Sequence, residues 1–493
     1  MAHLEKGPFG NPDGARAEIE NVLEGFITFG DEHIWGGLAT RKDDRKARVI
    51  VGRKGSGKTV YLRRLHSDAS AQDSLYTDFA IQQSKGLPTT DAIVRFSQIR
   101  TRSVTESWTA VWRAGLLCSV LTHIINKPEL KERIPAEVLE RLKSGFTDLL
   151  LYNYKTPVDV YHQITQTIEA LHTPHKVQTY FTNPKWAELE WLLIEAIKNC
   201  PPLCFYIDAA DEYYEHAPNY WMQFQLGLFY ATMHLLWHKL FGEKLHFVVS
   251  LRDLVLSSVL RSEHRSRYVA EPHIRTLNWN RNAMSYFLNE KVRRLDESFF
   301  VCNTISGKNV ATWLGMDSIT NRARKTREPL EQHLLRHTRL LPRDIIILGN
   351  ELCSEIQKAR QFSPDLPIDQ VIRQTVAECS KFFGDEQLLI CGKQIASDTM
   401  PQNAGRANYS EVYTSDQEYI RDATDQLKDL ICKIGKDRFS IDDLNKSREA
   451  SCQIFVGKLD VHSVLWQNGL IGYTTKIGKK ERFIFYSMEK LVL

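Results

Sequence analysis

The sequence predicts an α/β fold: a P-loop-type parallel β-sheet with a helical insertion, a helical lid and a C-terminal winged helix. Three observations predict the sheet. The runs Ala47–Val51, Leu203–Ile207 and Leu245–Leu251 are short and apolar, as strands buried on both faces are. A polar or glycine-rich stretch follows each run, and helical patterns separate them. This alternation is typical of parallel sheets that bind ligands beyond the carboxyl ends of their strands.

A glycine-rich stretch follows the first apolar run. It reads Gly-Arg-Lys-Gly-Ser-Gly-Lys-Thr over Gly52–Thr59 and fits the phosphate-binding pattern G-x-x-x-x-G-K-[ST]. A helical pattern comes next, so backbone N–H groups and a helix N-terminus would face a phosphate. Lys58 would reach the β- and γ-phosphates of ATP, and the Thr59 hydroxyl would ligate Mg²⁺. The predicted ATP-binding residues are Gly52, Arg53, Lys54, Gly55, Ser56, Gly57, Lys58, Thr59 and Val60. A chance glycine-rich turn is the alternative that the flanking patterns disfavour.

Composition bounds the class of protein. The chain has 493 residues, of which 43% are hydrophobic and 25% charged, as in a globular protein of two to four domains. The net charge of +4 is only a weak indication of nucleic-acid binding, and nine scattered cysteines argue against a disulfide framework. Residues 1–14 lack the apolar core of a signal peptide, and Leu226–Phe241 is too short and polar to span a bilayer. We expect a cytoplasmic protein that does not enter a membrane.

The helical and apolar patterns divide the chain into four parts. We predict an N-terminal approach segment over 1–46 and a nucleotide-binding core over 47–281, with a helical insertion at about 91–199. A helical lid follows over 282–400, and a polar linker leads to a winged-helix-like domain over 410–493. Two short helices and a two-stranded turn at Lys476–Lys480 predict that last domain.

Acidic residues follow the second apolar run. Asp208 comes at the carboxyl end of that strand, where a carboxylate can hold Mg²⁺. Asp211 or Glu212, one turn further on, would orient the attacking water as the catalytic base. Surface turn acids are the alternative interpretation.

Several arginines are candidates for binding phosphate charge. Arg252 follows the third apolar run and would sense the γ-phosphate or cap the sheet. Arg339 and Arg343 lie at the lid in the sequence Thr-Arg-Leu-Leu-Pro-Arg-Asp. We expect one of them to reach the phosphates when the lid closes, and we assign Arg343 to the ATP site. Surface salt bridging is the alternative for both. Arg265 and Arg267 are candidates for a finger that acts on a neighbouring subunit.

The order of these motifs resembles the STAND and KAP-type P-loop ATPases of bacteria, relatives of the AAA+ group. The metal-binding region of that family consists of four apolar residues, an aspartate, two further residues and then acids. Asp208 and Asp211-Glu212 match this pattern. The Ser-Leu-Arg strand end resembles the sensor strand, and Pro342-Arg343-Asp344 resembles the lid motif. The resemblance covers about residues 15–350 by motif and the tail by architecture. Ala209 stands where most AAA+ enzymes have glutamate, so an alternative register makes Asp211 and Glu212 the metal–base pair.

The resemblance implies a Mg²⁺-dependent ATPase that switches conformation or oligomeric state to regulate a partner effector, in phage defence or signalling. It implies a homo-oligomer, and since the sequence shows no effector domain, we expect the effector to act in trans. The alternative is a DNA-binding AAA+-like ATPase that uses the C-terminal winged helix. The cations for that role are Lys476, Lys479, Lys480 and Arg482, and the acids that dilute them are Asp442, Asp443 and Glu481.

Overall fold

The computed structural model describes most of the chain. The described residues are 7–14, 26–27, 47–70, 76–81, 92, 96, 104–146, 160–171, 173–208, 218–239, 241, 244–302, 307–321, 325–399, 409–435, 439–449, 461–477 and 480–484.

Helices dominate this part of the chain. They are α1 Lys58–Ser70, α2 Val104–Asn126, α3 Pro128–Lys131, α4 Ala136–Gly145, α5 Val160–Ala170, α6 Pro174–Thr182, α7 Pro184–Lys198, α8 Pro218–Trp237, α9 Asp253–Arg261, α10 Arg265–Tyr268, α11 Arg281–Arg293, α12 Val310–Leu314, α13 Leu330–Arg336, α14 Pro342–Phe362, α15 Ile368–Thr399, α16 Tyr409–Ile434, α17 Ile441–Glu449 and α18 Val461–Gln467. The strands are β1 Val49–Gly52, β2 Tyr76–Ile81, β3 Leu203–Asp208, β4 Leu245–Arg252, β5 Ile274–Thr276, β6 Ser318–Asn321, β7 Thr326–Pro329, β8 Tyr473–Ile477 and β9 Lys480–Ile484.

Five strands form one sheet in the order β2-β3-β4-β1-β5, and every neighbouring pair is parallel. The α/β fold with a parallel sheet is therefore confirmed. All residues of β1 and β3 are buried, as the unbroken apolar runs predicted. The register places Gly52 of β1 beside Arg252 of β4, and Ile81 of β2 beside Asp208 of β3. The loop after β1 and the polar ends of β3 and β4 thus share one edge of the sheet.

Helices cover both faces of this sheet. On one face, α1 packs Tyr61 and Leu62 against Ile50 and Val248. On the other face, α2 and α8 pack against each other, and the Trp112 indole donates a hydrogen bond of 2.8 Å to the Phe224 carbonyl. By length and hydropathy, α2 could cross a membrane, but 78% of that stretch is buried inside the protein. Its apolar character is therefore accounted for by core packing, like that of a buried helix in a globular protein.

A second core forms around α11, α13, α14 and the first half of α15. The antiparallel hairpin β6–β7 lies within this region, where the sequence predicted helices alone. The N-terminal segment joins the same core, because Phe9 is buried against Trp313 with ring centroids 5.0 Å apart. Asn350 of α14 fixes the segment by accepting from the Phe9 amide at 2.7 Å and donating to the Gly10 carbonyl at 3.0 Å.

The C-terminal helices share a third core with the end of α15. Leu388, Cys391 and Ile395 of α15 pack with Leu427 of α16 and Leu465 of α18. Helix α15 runs 32 residues to Thr399, close to the end of the region predicted as a lid at residue 400. The predicted linker overlaps residues 400–408, which lie outside the described residues. After α18 the chain forms the antiparallel hairpin β8–β9.

A half-buried histidine lies at the opposite edge of the large sheet. Nδ1 of His246 is 2.9 Å from a guanidinium nitrogen of Arg48, which directly precedes the neighbouring strand β1. Burial, and then the charge of Arg48, lower the pKa of His246 to about 4. Since this folded-state pKa lies below the ordinary value, the unfolded chain takes up a proton first as the pH falls. The contribution of neutral His246 to the stability of the folded protein is therefore present above about pH 6.5 and is lost as the pH falls towards 4.

We expect this histidine to make folding pH-dependent. Between pH 7 and pH 5 its contribution to the free energy of unfolding should fall by about 2 kcal/mol. Urea unfolding at both pH values measures the change. His246→Gln keeps an acceptor for Arg48 but does not titrate, so its free energy of unfolding should fall by about 2 kcal/mol less than that of the wild type between pH 7 and pH 5. The exposed control His175→Gln should behave as the wild type. An unchanged pH dependence in His246→Gln would contradict the assignment.

Candidate functional site

Backbone hydrogen bonds and two glycines with positive φ shape the loop between β1 and α1. Gly55 and Gly57 have φ angles of +85° and +91°, which side chains other than glycine rarely allow. The Ser56 amide donates to the Arg53 carbonyl at 3.1 Å, and the Tyr61 amide donates to the Gly57 carbonyl at 2.9 Å, which starts α1. The strand–loop–helix arrangement expected from the sequence is therefore present, and the N-terminus of α1 opens at the loop.

The Lys58 ammonium is buried inside this loop. It donates to the Gly52 carbonyl at 3.0 Å and to the Arg53 carbonyl at 3.2 Å, and the residue is only 8% exposed. These contacts hold a cation against the backbone that follows β1. Thr59 is the next residue, half-buried in the first turn of α1. A cation and a hydroxyl therefore lie at the helix N-terminus, where an anion is favoured.

A buried carboxylate lies at the end of β3. Asp208 is 2% exposed, and its Oδ1 accepts a hydrogen bond from the Ser250 hydroxyl of β4. The Tyr161 hydroxyl donates to the Asp208 backbone carbonyl at 2.6 Å, which fixes the strand end. The second carboxylate oxygen, Oδ2, is buried and has no hydrogen-bond partner within the part of the chain that the structure describes. Such an oxygen is costly to bury unless a cation or donor compensates it.

The end of β4 carries two further charged residues. Arg252 is 4% exposed, and its guanidinium lies over the Trp221 ring at 5.6 Å from the centroid. Asp253 begins α9 and lies 3.7 Å from the Arg53 guanidinium of the loop. Arg252 lies beside Gly52 at the loop edge of the sheet, and Asp253 holds Arg53 near it.

The region that the sequence predicted as a lid brings one arginine to the loop and holds the other in an ion-pair network. The Arg343 amide donates to the Gly55 carbonyl at 3.3 Å. Its side-chain Nε is buried without a hydrogen-bond partner among the described residues, and its terminal nitrogen is 4.0 Å from Glu386. Arg339 instead forms a bidentate pair with the fully buried Asp344, at 2.9 and 2.7 Å, and bonds to Glu386 at 3.0 Å. Arg343 is thus the lid arginine that lies against the loop, and Arg339 is a structural one.

The loop also has neighbours that the sequence patterns did not indicate. The Trp279 indole donates to the Ser56 carbonyl at 2.8 Å. Arg63 of α1 donates to the Gly14 carbonyl of the N-terminal segment. The N-terminal segment therefore bridges α1 and the lid helix α14 beside the loop. The sequence could have indicated Ser250 as a site residue, because it belongs to the Ser-Leu-Arg strand end. Trp279 lies in no recognisable motif.

A cleft opens between the loop, the predicted lid region and the C-terminal helices. Its lining includes Arg53, Arg252, Arg339, Gln387 and Asn468. The turn after α18 closes one side of it. There Gly469 has a φ of +72°, and a Cβ added to it would lie 2.6 Å from an Arg53 guanidinium nitrogen. The C-terminal region thus contacts the glycine-rich loop directly.

Five further predicted site residues form two groups, one outside the described residues and one on α10. Asp211 and Glu212, the two candidate bases, lie outside the described residues, as does Lys479 of the predicted wing. The choice between the two registers of the acidic stretch therefore stays open. Arg265 and Arg267 are exposed on α10 and are not among the residues that line the cleft. Their role as fingers stays a prediction.

Comparisons with known proteins bring no further evidence. No protein-family model matches the chain, and no curated protein is detectably similar to it. The function of this chain is therefore inferred from the geometry of the site.

Proposed function

We propose that this protein is a P-loop ATPase that binds Mg-ATP at the loop and uses the nucleotide state to control its conformation or oligomeric state. The observation that carries the proposal is the pair of buried, opposite charges at one edge of the sheet. Lys58 begins α1 directly after the loop, and its ammonium turns back onto the Gly52 and Arg53 carbonyls. Asp208 offers an oxygen without a partner among the described residues at the end of β3. A triphosphate with its metal ion would complement both charges.

The residues present fit both groups. The loop supplies backbone N–H groups, the start of α1 and the Lys58 ammonium for the phosphates. Thr59 and Asp208 are the residues that would hold Mg²⁺, which when bound offsets the negative charge of the phosphates. Arg252 lies at the same edge of the sheet, and the Arg343 side chain packs beside Gly55 of the loop, so both arginines would stabilise negative charge there. Asp211 or Glu212 remains our proposed base for the attacking water.

Contacts of the loop with two other parts of the chain support the switching role. The lid touches the loop through Arg343 and Gly55, and the C-terminal turn touches it through Gly469 and Arg53. A ligand that changes the loop would change its fit to both parts, which is what a nucleotide-controlled switch requires. We propose that the resulting change regulates self-association and a partner effector in trans, in the cytoplasm and in phage defence or signalling.

DNA binding through a C-terminal winged helix remains the alternative. The hairpin β8–β9 follows α17 and α18, as a winged helix requires. The side chains of 473–484 lie outside the described residues, so the basic wing is supported by sequence alone. No contact among the described residues favours this function over the ATPase.

We expect Asp208→Asn to weaken Mg²⁺-dependent ATP binding. Asparagine keeps an acceptor for Ser250 but removes the charge, so the affinity for Mg-ATP should fall about 10- to 100-fold, the value of one charged contact. Isothermal titration with and without Mg²⁺ measures this, and EDTA should reduce the wild type to the level of the variant. The exposed control Asp422→Asn should retain wild-type binding. A wild-type Mg²⁺ response in Asp208→Asn would exclude Asp208 as a metal ligand.

A further inference from the structure

An exposed tryptophan is stacked on a buried tyrosine away from the cleft. Trp237, the last residue of α8, is 43% exposed, and its ring lies nearly parallel to that of Tyr268, at 15° with centroids 5.5 Å apart. Tyr268 is only 4% exposed and therefore forms the base of the stack. One face of the indole rests on the tyrosine, and the opposite face is available to a third flat ring.

The aromatic surface continues along α8. Tyr230 and His234 precede Trp237 at helical spacing and share its side of the helix. The Tyr230 ring lies 6.0 Å from Tyr268 and 6.3 Å from His264, so rings from α8 and from the segment around α10 form one strip. We call this strip, with the arginines described next, the aromatic–arginine surface.

Positive charge borders the strip. The stretch Arg261–Arg267 contains three arginines and one glutamate, and all three arginines are exposed. No ion pair joins Arg261 or Arg267 to an acid within the described part of the chain. The two nearby acids have other neighbours, since Glu263 lies 3.8 Å from His264 and Glu271 pairs with His273. Lys239 adds another exposed cation just beyond Trp237.

We propose that the aromatic–arginine surface binds single-stranded nucleic acid, with a base stacked on Trp237 and phosphates held by Arg261 and Arg267. A flat ring beside exposed cations matches the two parts of a nucleotide, its base and its phosphate. The acidic side chains of a peptide would use the charge but supply no aromatic ring for the open face of the indole. A duplex keeps its bases stacked inside, so it could use only the phosphate contacts. Its residues differ from those of the predicted wing, and the proposal does not depend on ATP binding.

Fluorescence anisotropy of labelled oligothymidylate of about 20 nucleotides tests the proposal. The full-length protein should bind the single strand more tightly than a duplex of the same length, and Trp237→Ala should weaken binding about 5- to 100-fold. Trp237→Phe, which keeps a stacking ring, should recover part of the loss. The matched control Trp191→Ala removes another exposed tryptophan, 55% exposed, and should retain wild-type binding.

The arginines give a second, independent readout. Arg261→Gln and Arg267→Gln should each weaken binding and lower the slope of log affinity against log salt concentration by about 1. Arg293→Gln, on α11, should change neither quantity. Thermal unfolding of every variant shows whether it is folded.

Three results would overturn the proposal. The first is an absence of oligothymidylate binding at about 50 mM salt. The second is competition by polyglutamate as strong as that by unlabelled oligothymidylate, which would indicate an acidic protein partner. The third is a Trp237→Ala variant that binds the single strand normally but loses self-association in sedimentation, which would identify a contact between copies of this chain.

Discussion

Replacement of Lys58 by alanine is expected to weaken ATP binding by more than about 100-fold. The buried ammonium lies within hydrogen-bond distance of the Gly52 and Arg53 carbonyls, so it is fixed where the loop would receive the phosphates. A cation that donates two charge-assisted hydrogen bonds to a triphosphate contributes about 3–6 kcal/mol, and its loss corresponds to at least about 100-fold in affinity. Isothermal titration with ATP measures the effect directly.

The matched control for this substitution lies in the same loop. Lys54 is exposed, whereas Lys58 is buried, so Lys54→Ala should cost much less affinity. Circular dichroism and urea unfolding of both variants separate a loss of binding from a loss of folding. Wild-type affinity in a folded Lys58→Ala protein would refute the proposal that this loop binds phosphate.

The second large effect is expected from Arg339, four residues before Arg343. Arg339→Met leaves Asp344 buried and without its bidentate partner, and breaking such a pair costs about 3–5 kcal/mol in the free energy of unfolding. Arg343→Met removes a side chain whose only ion pair in the described structure is the 4.0 Å contact with Glu386, so it should change stability little. It should instead weaken ATP binding, because Arg343 lies against the loop.

Urea unfolding and ATP titration of the two variants give this prediction four readouts. The double variant Arg339→Met with Asp344→Leu should be more stable than Arg339→Met alone, because the uncompensated carboxylate is gone. If Arg343→Met destabilised the protein while Arg339→Met weakened only ATP binding, the roles of the two arginines would be reversed.

Local patterns in the sequence were sufficient for the parallel sheet and for the strand–loop–helix arrangement around Lys58. Each depends on a few consecutive residues: an apolar run that must be buried, or glycines that permit positive φ beside a helix start. The place of Asp208 at the end of β3 followed for the same reason. Hairpin β6–β7 was missed, because its two strands have four residues each and most of β7 is exposed, which leaves no apolar signal.

The sequence by itself therefore determined the sheet, the loop and the acid at the strand end, all of which are set by short-range patterns. Only the tertiary structure decided which lid arginine lies against the loop, because Arg339 and Arg343 share one motif and differ in long-range partners. Asp344 and Glu386 bind Arg339, whereas the Gly55 carbonyl accepts from the backbone of Arg343. The contact between Gly469 and Arg53 was also decided by tertiary structure, since it joins residues more than four hundred positions apart that no local pattern links.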